Sequence, residues 1–198
     1  MDDKTQLTKN FIMVSMGQVD ISTDEKYIIG TQALSPCIGF ILHSKDMGKA
    51  VVGHISSGQL VENSRVNDLR FQISELLDQG NLKGVPLDLK IIEGAYPSTQ
   101  IAYSHELDIL DIFGKSQYTL PEVLEEVIKK SDFVNISTTT MYQEQNSTPE
   151  VQVVDYYEGY GHGDKSKQFA FDAKNGNFVT DKVYFGPEYF EINKSNIK

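Results

Sequence analysis

The chain has 198 residues, 39% of them hydrophobic, and a formal charge of −10 from 28 acidic against 18 basic side chains. A chain this long buries roughly 70% of its unfolded surface, so residues 1–198 are expected to form a single domain, and its one cysteine excludes an internal disulfide. The acidity opposes binding to phosphate backbones or anionic lipid, no basic cluster offsets it, and no apolar run is long enough to cross a bilayer, so neither nucleic acid binding nor membrane insertion is expected.

The opening MDDKTQLTKN is polar, with no apolar run of the kind a secretory leader carries. Four short, β-branched apolar segments follow, FIMVSM (11–16), KYIIGT (26–31), CIGFILH (37–43) and KAVVGHI (49–55), and turn residues between them predict four strands. The pattern then changes period. Val66, Leu69, Ile73, Leu76 and Leu77 recur at helical spacing, with Asn63 or Ser64 as the expected cap and Gly80 as the stop. LDLKII (87–92) reads as a strand, and Thr119-Leu120-Pro121-Glu122 has the form of a capping box ahead of the apolar face Val123, Leu124, Val127 and Ile128.

From Phe133 the chain favours strands again: VNISTTTMY, VQVVDYY and QFAFDAKNGNFVTDKVYF. Asn175-Gly176 predicts a two-residue type I′ hairpin turn, because both residue types tolerate positive φ. The order β-β-β-β-α-β-α-β-β-β-β predicts an α/β fold, a sandwich of mixed or antiparallel sheet with flanking helices.

Cys37 is the residue that raises a question of chemistry. Leu34-Ser35-Pro36 forms a stiff corner in front of it, since proline fixes its own φ and drives Ser35 toward extended backbone. A free cysteine so placed is either a small core hydrophobe or a nucleophile that needs a base beside it. Of the four histidines, His54 is best placed, on the strand that pairs with the cysteine's own. A hairpin centred near residue 46 sets position 37 against about 55, one residue from His54, an offset that a bulge or a longer loop would absorb.

Thr31, Cys37 and His54 stand at intervals of 6 and 17 residues, and this spacing resembles that of the chemoreceptor glutamine deamidases, the CheD family. Met16-Gly17-Gln18 is similar to the family's early Met-Gly-Glu. The helix ending in LLDQG with LKIIEGA (89–95) resembles its helix, strand and Gly-Gly-Ala turn, and KQFAFDAKNGNFV resembles its closing hairpin.

The resemblance implies a CheD-like sandwich and a protein-glutamine deamidase that needs neither cofactor nor metal: Cys37 as nucleophile, His54 as base, Thr31 orienting the imidazole. The implied substrate is a protein with an exposed glutamine, a chemoreceptor in a bacterial cytoplasm or another protein met by an exported effector. A fast-alkylating Cys37 is expected with it. The family also implies the alternative of a protein-binding module that holds a chemotaxis phosphatase or another signalling partner with its catalysis impaired.

Several positions depart from the family. Ala33, Ser35 and Pro36 replace its glycine, glycine and serine, and Pro36 has no N–H to offer an oxyanion, a loss worth about 2.7 to 4 kcal/mol in a transition state. Leu34-Ser35-x-Cys37 is nevertheless similar to the Leu-Ser-Gly-Cys of bacterial deamidase toxins. Glu93 stands where the family has glycine, and GYGHGDKSK lacks the family's arginine.

The remaining motifs read as structural. GYGHG (159–163) is a turn without a helix to present amides, and His105 and His162 lack neighbours at metal-ligand spacing. Asp108 and Asp111 read as a solvated edge. Tyr156, Tyr157 and Tyr160 are expected to pack on strands or to contribute to a protein-binding surface.

Overall fold

The computed structural model describes residues 11–96, 101–103, 107–110, 116–143, 148, 150–155 and 165–179. In chain order the elements are β1 (Phe11–Met13), β2 (Val19–Ile21), β3 (Ile28–Leu34), β4 (Ile38–Ser44), β5 (Lys49–Ile55), a 3₁₀ turn (Ser57–Leu60) and α1 (Asn63–Gln79). Then come β6 (Pro86–Glu93), β7 (Ile101–Tyr103), β8 (Gln117–Thr119), α2 (Leu120–Lys129), β9 (Asn135–Tyr142), β10 (Gln152–Asp155), β11 (Lys165–Asp172) and β12 (Asn177–Phe178).

Among the described residues two five-stranded sheets and two α-helices make three layers, and β7 and β8 pair as a separate two-stranded sheet. The central sheet runs β2-β5-β4-β6-β9, antiparallel except for the β6–β9 pair. Every residue of β4 is buried, because the strand is covered on both faces, and that explains its continuous apolar run. Ile38, Phe40 and Leu42 face Val66, Leu69, Ile73 and Leu77 of α1 and Val123, Leu124 and Val127 of α2 in one core. Cys37 and Ile41 face the other way, into a second core shared with Ile29, Leu34, Phe169 and Phe171 of the outer sheet β1-β3-β11-β10, whose β11 also pairs with β12. The α/β architecture with mixed and antiparallel sheets is as the sequence predicts.

Four local details differ. The cap of α1 is Glu62; Asn63 is already helical, and its Oδ1 accepts from Asp108 N–H at 3.0 Å. Gly80 does end α1, but in the right-handed region (φ −78), and the left-handed residue is Asn81 (φ 57). Asn81 N–H donates to Asp78 O and Leu82 N–H to Leu77 O, a Schellman motif closed by contact between two buried leucines. A Cβ at Gly80 would come within 2.4 Å of Ile21 Cδ1 and 3.2 Å of Leu76 O, so a larger residue there would displace the end of the Ile21 side chain.

The Asn175-Gly176 turn is also not the two-residue type. Asp172 pairs with Asn177, leaving four loop residues, and of the Asn-Gly pair only Gly176 has positive φ (71). Asp172 selects this longer loop: its carboxylate accepts from the N–H groups of Lys174 and Asn175, and its carbonyl from Gly176 N–H. The β4–β5 hairpin shows a shift too. Its loop spans residues 45–48 with Gly48 at φ +58, so Ile38 pairs with Ile55 and Gly39 with His54. Position 37 therefore falls one residue beyond the expected partner, level with Ser56.

Candidate active site

That one-residue shift decides which side chains can meet. With 37 level with 55, His54 and Cys37 would lie on opposite faces of the sheet; in the observed register both point into the space between the sheets, as diagonal neighbours on adjacent strands. No bulge in β4 or β5 is needed. Gly39 lies directly opposite His54, and its missing side chain leaves room for Phe169 and Leu34, which a Cβ would meet at 2.8 and 3.1 Å.

Thr31 reaches the same space from the outer sheet. Its Oγ1 lies 2.8 Å from His54 Nδ1 and 2.7 Å from the carbonyl oxygen of Val14. A hydroxyl carries one proton, and the Val14 carbonyl can only accept, so Thr31 donates to Val14 O and accepts from His54 Nδ1–H. The network thereby assigns the tautomer. The lone pair of His54 is on Nε2, which is buried and has no hydrogen-bond partner. Nε2 and the Cys37 thiol thus lie on the same face of the sheet, with no hydrogen bond joining them.

The backbone of His54 is also clamped. Gly17 N–H donates to His54 O at 2.7 Å and His54 N–H to Gln18 O at 3.0 Å. Gln59 Nε2 then donates to Gly17 O at 3.3 Å, tying the turn to the 3₁₀ segment.

The corner before Cys37 begins with a β-bulge. Thr31 pairs with Phe169 and Leu34 with Lys167, so Gln32 and Ala33 together oppose Gln168 alone. Ala33 closes the bulge at φ +62, a conformation that costs a side-chain-bearing residue about 1 to 2 kcal/mol. A glycine would carry no such strain there. The far side of the corner is held by residues 94–96: Ala95 N–H donates to Leu34 O and Tyr96 N–H to Ser35 O, both at 3.1 Å. Gly94 fits so closely that a Cβ would lie 2.1 Å from Ser35 O. Beside it, buried Lys167 donates from Nζ to Glu93 O at 2.6 Å.

Electrostatics set the resting state. Burial pushes the His54 imidazole down to about 4 and the Cys37 thiol above its ordinary value. Both groups are therefore neutral near pH 7. Moving the proton from sulfur to Nε2 is uphill, because burial disfavours both the thiolate and the imidazolium. Cys37 is 4% exposed and His54 2%. The fast alkylation expected of an activated thiol does not follow from this geometry; a protonated, covered sulfur reacts slowly.

Thr31 and His54 are joined by a hydrogen bond, and Cys37 lies on the same face of the central sheet as His54. Asp108 is exposed at the N-terminus of α1. Asp111, His105, His162, the GYGHG turn, and Tyr156, Tyr157 and Tyr160 lie outside the described residues. The sequence gave no sign of the Val14 carbonyl; Gly17-Gln18 and Gly94 fall within segments that carry the family resemblance, but their main-chain contacts are not read from it. The chain matches no family model, and no curated protein sequence matches it. Among the described residues no helix is long and apolar enough to cross a membrane.

Proposed function

We propose that the chain is a cysteine-dependent protein-glutamine deamidase. The observation that carries the reading is the chain of hydrogen bonds from Val14 O through Thr31 Oγ1 to His54 Nδ1, which leaves Nε2 as a basic atom on the face of Cys37. In the reaction Nε2 takes the thiol proton as sulfur adds to the carboxamide carbon. The imidazolium then gives that proton to the departing ammonia, leaving a thioester, and His54 next deprotonates the water that releases the carboxylate and restores the thiol. One amide and one water become one carboxylate and one ammonium ion. Thr31 holds the tautomer throughout, the orienting role of a third triad member. The substrate is a protein with an exposed glutamine, a bacterial chemoreceptor or another target, and the setting is the bacterial cytoplasm.

With Cys37 4% and His54 2% exposed, the corner in front of Cys37 has to move aside for a glutamine side chain to reach the thiol. A second reading is favoured by the covered sulfur and by Pro36, which has no N–H for an oxyanion: a binding module that keeps the fold and holds a signalling protein.

Ammonia release from glutamine-containing peptides, with mass spectrometry of the Gln to Glu conversion, separates the two. The deamidase converts them, and Cys37→Ala and His54→Ala do not. A wild-type chain as silent as Cys37→Ala across a peptide library would leave the binding module as the better account.

A further inference from the structure

The last strand of the central sheet is an open edge. Among the described residues β9 pairs with β6 and with no other strand, so its far side presents main-chain N–H and C=O groups with no strand beyond them. An edge of this kind recruits a further strand unless it is short, charged or interrupted by proline. The other sheet edges obey that rule, since β1 and β2 are three residues long and β10 four. β9 has eight, NISTTTMY, six of them exposed. Residues 133–143 hold no charge and no proline, in a chain of which 23% is charged. Leu87 pairs with Ile136 and Asp88 with Thr138, so Ser137 is a bulge and 138–142 is the regular run. Within that run Thr139 and Met141 stand beside Leu89 and Ile91 on the helix face, and Thr138, Thr140 and Tyr142 on the opposite face.

We propose that β9 pairs antiparallel with β9 of a second copy of this chain, about a twofold axis at Thr140, joining the two central sheets into one. That register sets Thr140 against Thr140, Thr138 against Tyr142 and Thr139 against Met141 across the two copies. Each pair shares a face of the sheet, and threonine opposite threonine or an aromatic ring is a favourable cross-strand pair. Met141, 37% exposed in the single chain, is covered. Charge selects a second copy over a foreign strand. A basic strand drawn by the charge of −10 would find no acid along β9, and Asp88, one strand further in, already accepts from Thr138 Oγ1 at 2.6 Å. Two acidic copies repel one another over most of their surface and can meet without repulsion on a neutral run. The contact is isologous, so it closes at two copies.

Sedimentation velocity on the full chain at rising concentration is the test. The wild-type chain should pass from monomer to dimer below about 100 μM. Thr140→Lys sets two ammonium groups face to face at the axis and should raise the dimer Kd at least about tenfold. An equimolar mixture of Thr140→Lys with Thr140→Glu should restore the dimer, which a misfolded variant could not do. Amide hydrogen exchange at 138–142 should slow as the dimer forms. A wild-type chain that stays monomeric over this range overturns the proposal, and binding of a neutral extended peptide by that monomer would assign the edge to a foreign strand instead. A dimer indifferent to Thr140→Lys, a mixture that stays monomeric, or protection that arises away from 138–142 would overturn it as well.

Discussion

His54 should make the fold sensitive to mild acid. Its imidazole is held down at about 4 by burial, whereas the unfolded chain titrates near the ordinary histidine value of about 6.5. Above that value neither state protonates the ring. Between about pH 6.5 and 4 the unfolded chain takes up a proton that the folded chain refuses, so stability is lost as the pH falls, by about 3 kcal/mol over the interval and at a slope approaching one proton. His43, also lowered by burial, adds a loss of the same sign. Glu93, raised by burial, works the other way, because there the folded chain holds the extra proton. Urea denaturation of the wild-type chain and of His54→Gln, run at intervals from pH 7.5 to 4 by the same optical probe, isolates the one ring, since the other groups titrate in both proteins. The stability advantage of wild type over His54→Gln should shrink by about 3 kcal/mol on going from neutral to pH 4. An advantage that stays constant within about 0.5 kcal/mol would mean that His54 is solvated and that the buried, oriented base is an error.

Three further outcomes follow from the site's supports. Ala33→Gly should stabilise the protein to urea by about 1 kcal/mol, because glycine occupies φ near +62 without the Cβ strain; destabilisation would show that the bulge is not left-handed at that residue. Thr31→Val should cost about 2 kcal/mol or more by leaving the Val14 carbonyl and His54 Nδ1 without their partner. Nitrogen-15 shifts of the ring should also show the Nδ1–H form losing population, with Thr31→Ser restoring both, and a tautomer unchanged in the valine variant would contradict the assignment. Gly94→Ala, which places a Cβ against Ser35 O, should cost roughly 1 to 3 kcal/mol and shift the amide resonances of residues 34 to 37; spectra that overlay on wild type would show the contact is loose.

How far the sequence reveals this molecule depends on the range of each interaction. The apolar runs of β4 and β5 and the helical periodicity of α1 and α2 are legible because burial on a face repeats along the chain. β2, β7 and β8 are three residues long, too short to carry a period, and exist because a neighbouring strand offers its edge. The β4–β5 register hinges on a loop of four residues, and one residue more or less reverses the face that His54 presents. At the Asn-Gly turn the local signal was overridden by Asp172, three residues earlier, whose carboxylate takes the loop amides. Cys37 and His54 stand out in the strand pattern and Thr31 only through the family resemblance, but the hydrogen bond that orients the His54 ring depends on a carbonyl at Val14, seventeen residues before the threonine it binds. A main-chain oxygen leaves no mark in residue identity.

The covalent step offers the most direct measurement. The wild-type chain is mixed with a glutamine peptide, quenched in acid within the first turnovers and weighed intact by mass spectrometry. A thioester on Cys37 adds the mass of the peptide less one ammonia, and it should be absent in Cys37→Ala and in His54→Ala. An adduct that forms as readily without His54, or glutamate produced by a chain that lacks Cys37, would contradict the assignment of nucleophile and base.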